Sequence, residues 1–550
     1  MYSHMDENSL NIGEYLIQAI YKTGTRHVFG VPGDYILNFY AKLNKSPLKL
    51  INTSDEEAAA FAADAYARFT GFGVVCVTYT VGGLKVLNAT ACAFAEKSPI
   101  LVIAGAPGYK EREKYQFLHH KPNKYDDSLR MFERITVAST GLDNPTEICQ
   151  EIDRVIHTVL RLKRPGFIEL PRDMVDMLVT PVSDHTDQVK KPDSSLQTEA
   201  VDALVHTINS AKQPVIMAGI GVLRYNLVSA LESLAEKTNI PIVTTILGKS
   251  VLDERNTHFL GVYAGIIGDD AVRAYVESSD CVILAGMLLT DVDMGANTAV
   301  ISPDVMVTLS DEECSIGKRE FSVPGLMLLH DLLEKELRYH TMSGVPVPVR
   351  QRLPSFTPSD AKITTKSLVP AINSLIDDRT VLITEVGDAV MMSLDITIQR
   401  SGGYLCPVFY STLGYSVPAS IGVQAACPDL RPLVLSGDGA FQMTGMEVST
   451  ACRYHMNPIV IVLNNSGYGT ERPMIDGSFN DVAGWKYHKI PEITGCGKGY
   501  LIRTEQEFVD ALKEAYTSKE LAILDVILDP DDISPQLRRL CQKFSQGVKQ

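Results

Sequence analysis

Two polar clusters, each directly after an apolar run, constrain this chain more than any other feature. The first is Gly437-Asp438-Gly439, preceded by the apolar run 432–435. The second is Asn464-Asn465, preceded by the run 458–463, and the 24 residues 440–463 separate the two clusters. A short apolar run ending in such a turn reads as a buried strand of an α/β sheet. Open sheets of this kind bind ligands just past the carboxyl ends of their strands. Asp438 and Asn465 offer side-chain oxygens, and the turn Ser466-Gly467 offers a backbone carbonyl. A hard cation such as Mg²⁺ takes that set together with phosphate oxygens. Gly437 and Gly439 let the backbone come close to a diphosphate, whose charge the N–H groups of a following helix can meet.

Length and composition set the frame. A chain of 550 residues, 45% hydrophobic and 21% charged, is an ordinary globular protein with about three or four domains. A net charge of −15 argues against nucleic acid and against anionic membrane surfaces as partners. It also means that a bound diphosphate needs local help from a metal and from backbone amides. No apolar run approaches the ~18 residues of a membrane span. The N-terminal MYSHMDENSL lacks the basic and apolar regions of a signal peptide, so a cytoplasmic location is expected. The ten cysteines form no Cys-x-x-Cys pair, and Cys76, Cys92 and Cys281 sit among apolar neighbours as buried thiols. A zinc site or a disulfide framework is not expected.

Organisation follows from periodicity. Residues 11–22 have apolar positions at helical spacing behind a capping-box start at Asn11 and Glu14. The Ala-rich stretch 58–68 reads as a helix closed near Gly71. Strands are expected at 27–31, 74–80, 100–104, 214–218, 240–245 and 281–285. Polar and proline-bearing linkers are expected at 180–198, with Pro181, Lys190, Lys191 and Pro192, and at 344–364, with Pro354 among its prolines. Thr90-Ala91-Cys92 before Pro99 echoes Thr450-Ala451-Cys452 before Pro458. The echo fits two related α/β domains flanking a third.

The pair of clusters resembles the cofactor motif of the thiamin diphosphate enzymes, GDG followed by about two dozen residues and NN. That resemblance implies a second half-site: an acid near the far ring nitrogen of the cofactor's aminopyrimidine, supplied by the N-terminal domain of a neighbouring subunit. Asp55, Glu56 and Glu57 compete for it, and an acid at a helix start can equally be a dipole partner. The following Ala63-Asp64, Tyr66-Ala67 and Arg68 are similar to the family's helix, and that register selects Glu56. Three further segments resemble the 2-oxo acid decarboxylases, the pyruvate, indolepyruvate and phenylpyruvate decarboxylase group: Phe29-Gly30-Val31-Pro32-Gly33-Asp34-Tyr35, His119-His120, and Asn464 to Glu471. The resemblance covers essentially the whole chain.

What it implies can be stated by residue. The fold would be α/β, with three doubly wound parallel-sheet domains: pyrimidine-binding at 1–185, middle at 195–345, and diphosphate-binding with a C-terminal helix at 360–550. Catalytic residues would be Glu56, Asp34, His119, His120 and Glu471, the last four forming a proton relay. Cofactor contacts would come from Glu56, Thr78, Asp388, Ser411, Leu413, Gly437, Asp438, Gly439, Ala440, Asn465, Gly467 and Tyr468. Leu413 would be the apolar wedge that bends the cofactor, and Asp388 would act indirectly or through backbone. Asp438, Asn465 and Gly467 would hold Mg²⁺. The site would be shared between two subunits, with a homotetramer as the usual assembly.

The substrate is read from the pocket. Val292, Val386, Val390, Thr470 and Met474 would line a roomy apolar space, where pyruvate-specific relatives carry large aromatics. The expected reaction is non-oxidative decarboxylation of phenylpyruvate, indolepyruvate or long-chain 2-oxo acids to aldehydes and CO₂. A pyruvate decarboxylase and an acetolactate synthase-type carboligase are the enzyme alternatives. A non-catalytic binding protein on the same fold is the alternative of another class. The C-terminal segment 533–544 reads as a packing helix that can reach the site mouth through Leu540 or Phe544.

Overall fold

The structure is a computed structural model that describes residues 10–180, 194–341, 343–353 and 355–548, with side chains through 543. Pro181, Lys190, Lys191, Pro192, Pro354 and the side chain of Phe544 lie outside the described residues. Three α/β sheets carry the fold. The described residues fall into two compact units. One is built on the N-terminal sheet and takes in 417–429 and 444–456, and the other holds the central and C-terminal sheets.

The N-terminal sheet has six parallel strands in the order Lys49–Asn52, His27–Gly30, Gly73–Val77, Ile100–Ala106, Gly166–Pro171, Ala138–Gly141. The C-terminal sheet also has six parallel strands, in the order Tyr404–Leu405, Thr380–Thr384, Arg431–Gly437, Ile459–Asn464, Ala522–Ile527, Lys498–Ile502. Numbered within each sheet, both read 2-1-3-4-6-5. The Thr-Ala-Cys echo marks equivalent places, the helices Leu87–Ala95 and Val448–Arg453 that precede the fourth strand of each sheet. The central strands are buried along their length, as helix-covered parallel strands must be, and hence read as continuous apolar runs.

The middle sheet starts with five parallel strands and ends differently. Cys314–Ile316 runs antiparallel to both Met306–Leu309 and Arg319–Phe321. The two-residue connection at Gly317, with φ 56°, permits only a hairpin there. Arg319 and Glu320 are exposed on its outer strand, where charge discourages further pairing.

Local signals account for the elements that carry function. Asn11 and Glu14 form the expected capping box of the helix Ile12–Lys22. The helix Glu56–Thr70 starts at the Asp55 cap and ends on Gly71, whose φ of 84° favours glycine. Its alanines permit close backbone approach: a Cβ on Gly422 would lie 2.0 Å from the Ala62 carbonyl oxygen. The expected first linker is shorter than the polarity of its sequence indicates. The helix Ser194–Ser210 begins inside it, with its first turns exposed and its apolar face starting only at Ala200. Cys76, Cys92 and Cys281 are free and buried, as expected.

Candidate functional site

In the second unit, the strands Thr380–Thr384, Arg431–Gly437 and Ile459–Asn464 lie side by side and end on the same edge of the sheet. Their following turns bring together Gly387, Gly437 to Ala440, and Asn465 to Glu471 around a cavity of about 430 Å³. The cavity also takes in Asp388, Ser411, Leu413, Val292, Val386 and Val390. Thus one cavity unites most of the expected cofactor and pocket residues. Glu56 and Thr78, which belong to the first unit, and Met474 do not line it; the Met474 N–H bonds back to the Glu471 carbonyl in a local turn. Leu537 and Leu540 of the C-terminal helix Pro535–Val548 contribute to the wall.

Asp438 is 2% exposed. Gly439 donates its N–H to Oδ1 at 2.8 Å, and Gly467 donates to Oδ2 at 3.2 Å. Burial nevertheless pushes the carboxyl up to about 6. A bound cation would offset that desolvation, and Asn465 and the Gly467 turn face the same cavity. Ser466 sits at φ 60°, a left-handed turn after the strand that turns the Gly467 peptide toward the site. Gly437 has nothing within 4 Å of where a Cβ would stand, so a side chain there would fill ligand space. Gly439 is fixed by packing instead, since its Cβ would meet the Tyr468 ring at 2.5 Å. These residues fit a metal-bound diphosphate. The two asparagines divide their tasks: Asn464 donates to Asp525 at 2.8 Å within the sheet, and Asn465 faces the cavity.

One acid behind the cavity escaped the sequence reading. Glu385, 1% exposed, accepts the N–H groups of Gly414 at 3.2 Å and Ser416 at 2.7 Å, which anchors the segment carrying Ser411 and Leu413. Ser534 donates both its N–H, at 2.9 Å, and its hydroxyl to Asp388. The Asp388 side chain is therefore engaged with the start of the C-terminal helix, and burial raises its carboxyl to about 6. For Glu385, a lone acid at the end of an apolar run was the available cue.

The first unit carries the second cluster, again at the carboxyl ends of strands. Asp34 follows the strand His27–Gly30, and the histidine pair follows Ile100–Ala106. His119 Nε2 lies 2.6 Å from Asp34 Oδ2. The His119 and His120 rings stand edge-to-face at 4.8 Å, and His120 holds a left-handed φ of 67°. One ligand atom from each of Asp34, His119 and His120 lies within 4.8 Å of the others. Asp34 and His119 are hydrogen-bonded, and His120 stands beside them.

The three candidate acids at the helix start differ in their partners. Asp55 caps Glu57 N–H at 2.9 Å and pairs with Lys85. Glu57 accepts from Asn88 at 2.8 Å. Glu56 is mostly buried, pairs with Lys85 at 2.9 Å, and stands against the Thr78–Gly82 turn, 3.5 Å from a Cβ on Gly82. Thr78 is buried there, and its hydroxyl has no hydrogen-bond partner. Glu447, from the chain's distant C-terminal half, accepts the N–H groups of Ser54 at 3.0 Å and Asp55 at 3.1 Å and so fixes the loop before Glu56.

Comparison with known proteins agrees with this geometry. Residues 10–129 match the N-terminal binding domain of thiamine pyrophosphate (thiamin diphosphate) enzymes, 201–332 the central domain, and 385–526 the C-terminal binding domain. An indole-3-pyruvate decarboxylase of Azospirillum brasilense is 32% identical over 556 residues, 98% of each chain. An alpha-keto-acid decarboxylase of Mycolicibacterium paratuberculosis is 29% identical over 96% of each chain. A probable pyruvate decarboxylase of Schizosaccharomyces pombe is 29% identical, covering 96% of this chain and 94% of the other. With its cofactor cradle and its acid–histidine cluster at the carboxyl ends of two like-ordered sheets, the chain belongs to the thiamin diphosphate-dependent 2-oxo acid decarboxylases and is a carbon–carbon lyase.

Proposed function

We propose that this enzyme decarboxylates aromatic or long-chain 2-oxo acids, phenylpyruvate and indolepyruvate foremost, to aldehydes and CO₂. The observation that carries this reading is the apolar wall of the cavity, built by Val292, Val386, Val390, Leu537 and Leu540. Burying an aromatic side chain against such a wall is worth roughly 1.5–3 kcal/mol. The Azospirillum relative named for indole-3-pyruvate points the same way.

Asp438, Asn465 and the Gly467 carbonyl hold Mg²⁺, and Gly437, Gly439, Ala440 and Tyr468 shape the diphosphate cradle. Ser411 and Leu413 position the rest of the cofactor, with Leu413 as the wedge. Bound thiamin diphosphate supplies the nucleophilic carbon and the electron sink for loss of CO₂. Glu56, with Thr78 beside it, serves the aminopyrimidine in a neighbouring subunit's site. Asp34, His119, His120 and Glu471 deliver the proton that replaces the carboxylate, and Thr470 borders the substrate. Asp388 acts at one remove, by tying down the C-terminal helix through Ser534. A site shared in this way requires self-association, here a homotetramer in the cytoplasm. The domains are taken as 1–185, 195–345 and 360–550; the three family matches fall inside these spans.

The test is aldehyde production from phenylpyruvate, indolepyruvate, 2-oxooctanoate and pyruvate in parallel, with thiamin diphosphate and Mg²⁺ present. Higher kcat/KM for the large acids supports the reading. A preference for pyruvate would replace it with a pyruvate decarboxylase.

A further inference from the structure

Tyr35 follows Asp34 in the turn after the first strand, and it is 1% exposed. Its ring stacks on His119, with centroids 4.6 Å apart and planes inclined by 23°. Its hydroxyl lies 3.2 Å from His119 Nδ1 and 3.4 Å from the His119 carbonyl oxygen. We propose that Tyr35 is a positioning residue for His119, partnering the imidazole in both of its protonation states. This inference rests on the reading of His119 as a proton carrier.

The two ring nitrogens face different partners. Nε2 meets the Asp34 carboxylate at 2.6 Å. An ionised carboxylate only accepts, so Nε2 carries a hydrogen, and Nδ1 of the neutral ring is a bare lone pair. The phenol then donates to Nδ1. When the ring takes up a proton, Nδ1–H becomes a donor and the phenol oxygen accepts from it. The phenol's own hydrogen turns to the His119 carbonyl, within reach at 3.4 Å. The exchange needs only a rotation about the phenol C–O bond, and no heavy atom moves. A backbone carbonyl at this place would serve only the charged ring, and a backbone N–H only the neutral one. A group that must change charge on every turnover thus keeps its orientation throughout.

The phenol is itself held. The Arg172 guanidinium lies 5.1 Å from the Tyr35 centroid and grips Glu111 with two nitrogens, Nε at 2.8 Å. Tyr79 and His120 meet the ring edge-on at 5.7 and 5.8 Å. The groups facing His119 are therefore Asp34, Tyr35 and His120, with Glu111 and Arg172 behind the phenol. Burial, then the charge of Asp34, pushes the phenol above its ordinary range, so it retains a hydrogen to donate.

Tyr35→Phe keeps the stacking and removes only the hydroxyl. In holoenzyme saturated with thiamin diphosphate and Mg²⁺, kcat for phenylpyruvate is expected to fall ~10-fold, a fraction of what a proton-transfer group contributes. KM and cofactor affinity should stay within about twofold by the same argument, and the kcat–pH profile should be displaced. The double variant with His119→Ala should be no slower than His119→Ala alone, because both changes act through one ring. Parent-like kcat with a superimposable pH profile in Tyr35→Phe, beside an impaired His119→Ala, overturns the inference and leaves the relay standing. Full activity in His119→Ala overturns the relay and this inference with it. Should Tyr35→Phe fail to fold, Arg172→Lys, which loosens the ring but keeps the hydroxyl, decides: a parent-like profile overturns the inference, and a displaced one supports it.

Discussion

The N-terminal and C-terminal sheets share one strand order, 2-1-3-4-6-5, and both use the carboxyl ends of their strands. The loops there differ in kind. The C-terminal sheet presents glycines, a buried carboxylate and an amide oxygen around an apolar cavity. The N-terminal sheet presents Asp34 and His119, which remain 42% and 58% exposed, and Glu56 at a helix start. On the function proposed above, one scaffold hosts a binding half, which needs close backbone approach and desolvated oxygens, and a proton-handling half, whose groups need access to solvent or to substrate. The difference shows that strand order supplies positions, while the side chains on each loop decide the chemistry.

The comparison breaks most visibly at Asp438. Asp438→Ala is expected to abolish aldehyde formation together with thiamin diphosphate binding in millimolar Mg²⁺, as read by calorimetry. Parent-level cofactor affinity would remove Asp438 from the metal site. His120→Ala should give the opposite signature, a ~10²- to 10⁴-fold loss of kcat with cofactor affinity retained. Impaired cofactor binding in that variant would mean that the division of labour between the sheets is wrong. A smaller effect is expected inside the cavity. Val390→Phe should cut kcat/KM for phenylpyruvate by ~10-fold relative to pyruvate, because it fills the space that the larger side chain uses. Equal losses for both substrates would show that the cavity does not select.

The smallest effect concerns pH. Asp388 has a folded-state pKa of about 6 against an ordinary 3.8, because burial outweighs the Ser534 bonds. Between these values the folded chain keeps a proton that the unfolded chain has released. The stability it contributes is therefore complete below the lower value and is lost as pH rises through about 6. The full difference corresponds to ~3 kcal/mol. Thermal unfolding of the cofactor-free protein at pH 4.5 and 7 should show a smaller loss of Tm in Asp388→Asn than in the parent. Identical losses would exclude Asp388 as the source.

The binding half was largely legible along the chain. Its turns are contiguous with the strands that position them, so apolar runs ending in Gly437-Asp438-Gly439 and Asn464-Asn465 sufficed to point to strand ends that meet at one cavity. The faint Thr-Ala-Cys echo led correctly to two sheets of one order. Met474, placed in the pocket from its sequence position, sits three residues past Glu471 in a tight turn and does not line the cavity. Glu385 and Glu447 were passed over because a buried acid is justified only by donors elsewhere in the chain. Those of Glu447 lie some 390 residues away in the sequence.

The sequence by itself determined the strands, the caps and the chemistry offered at each strand end. These depend on neighbours within about one turn of chain, where side-chain period and φ preference act. Only the tertiary structure decided which of Asp55, Glu56 and Glu57 stands against the Thr78–Gly82 turn, that Asp388 answers to Ser534, and that Tyr35 lies under His119. Each of those is a pairing across the fold, set by where packed elements meet, and no local spacing encodes it.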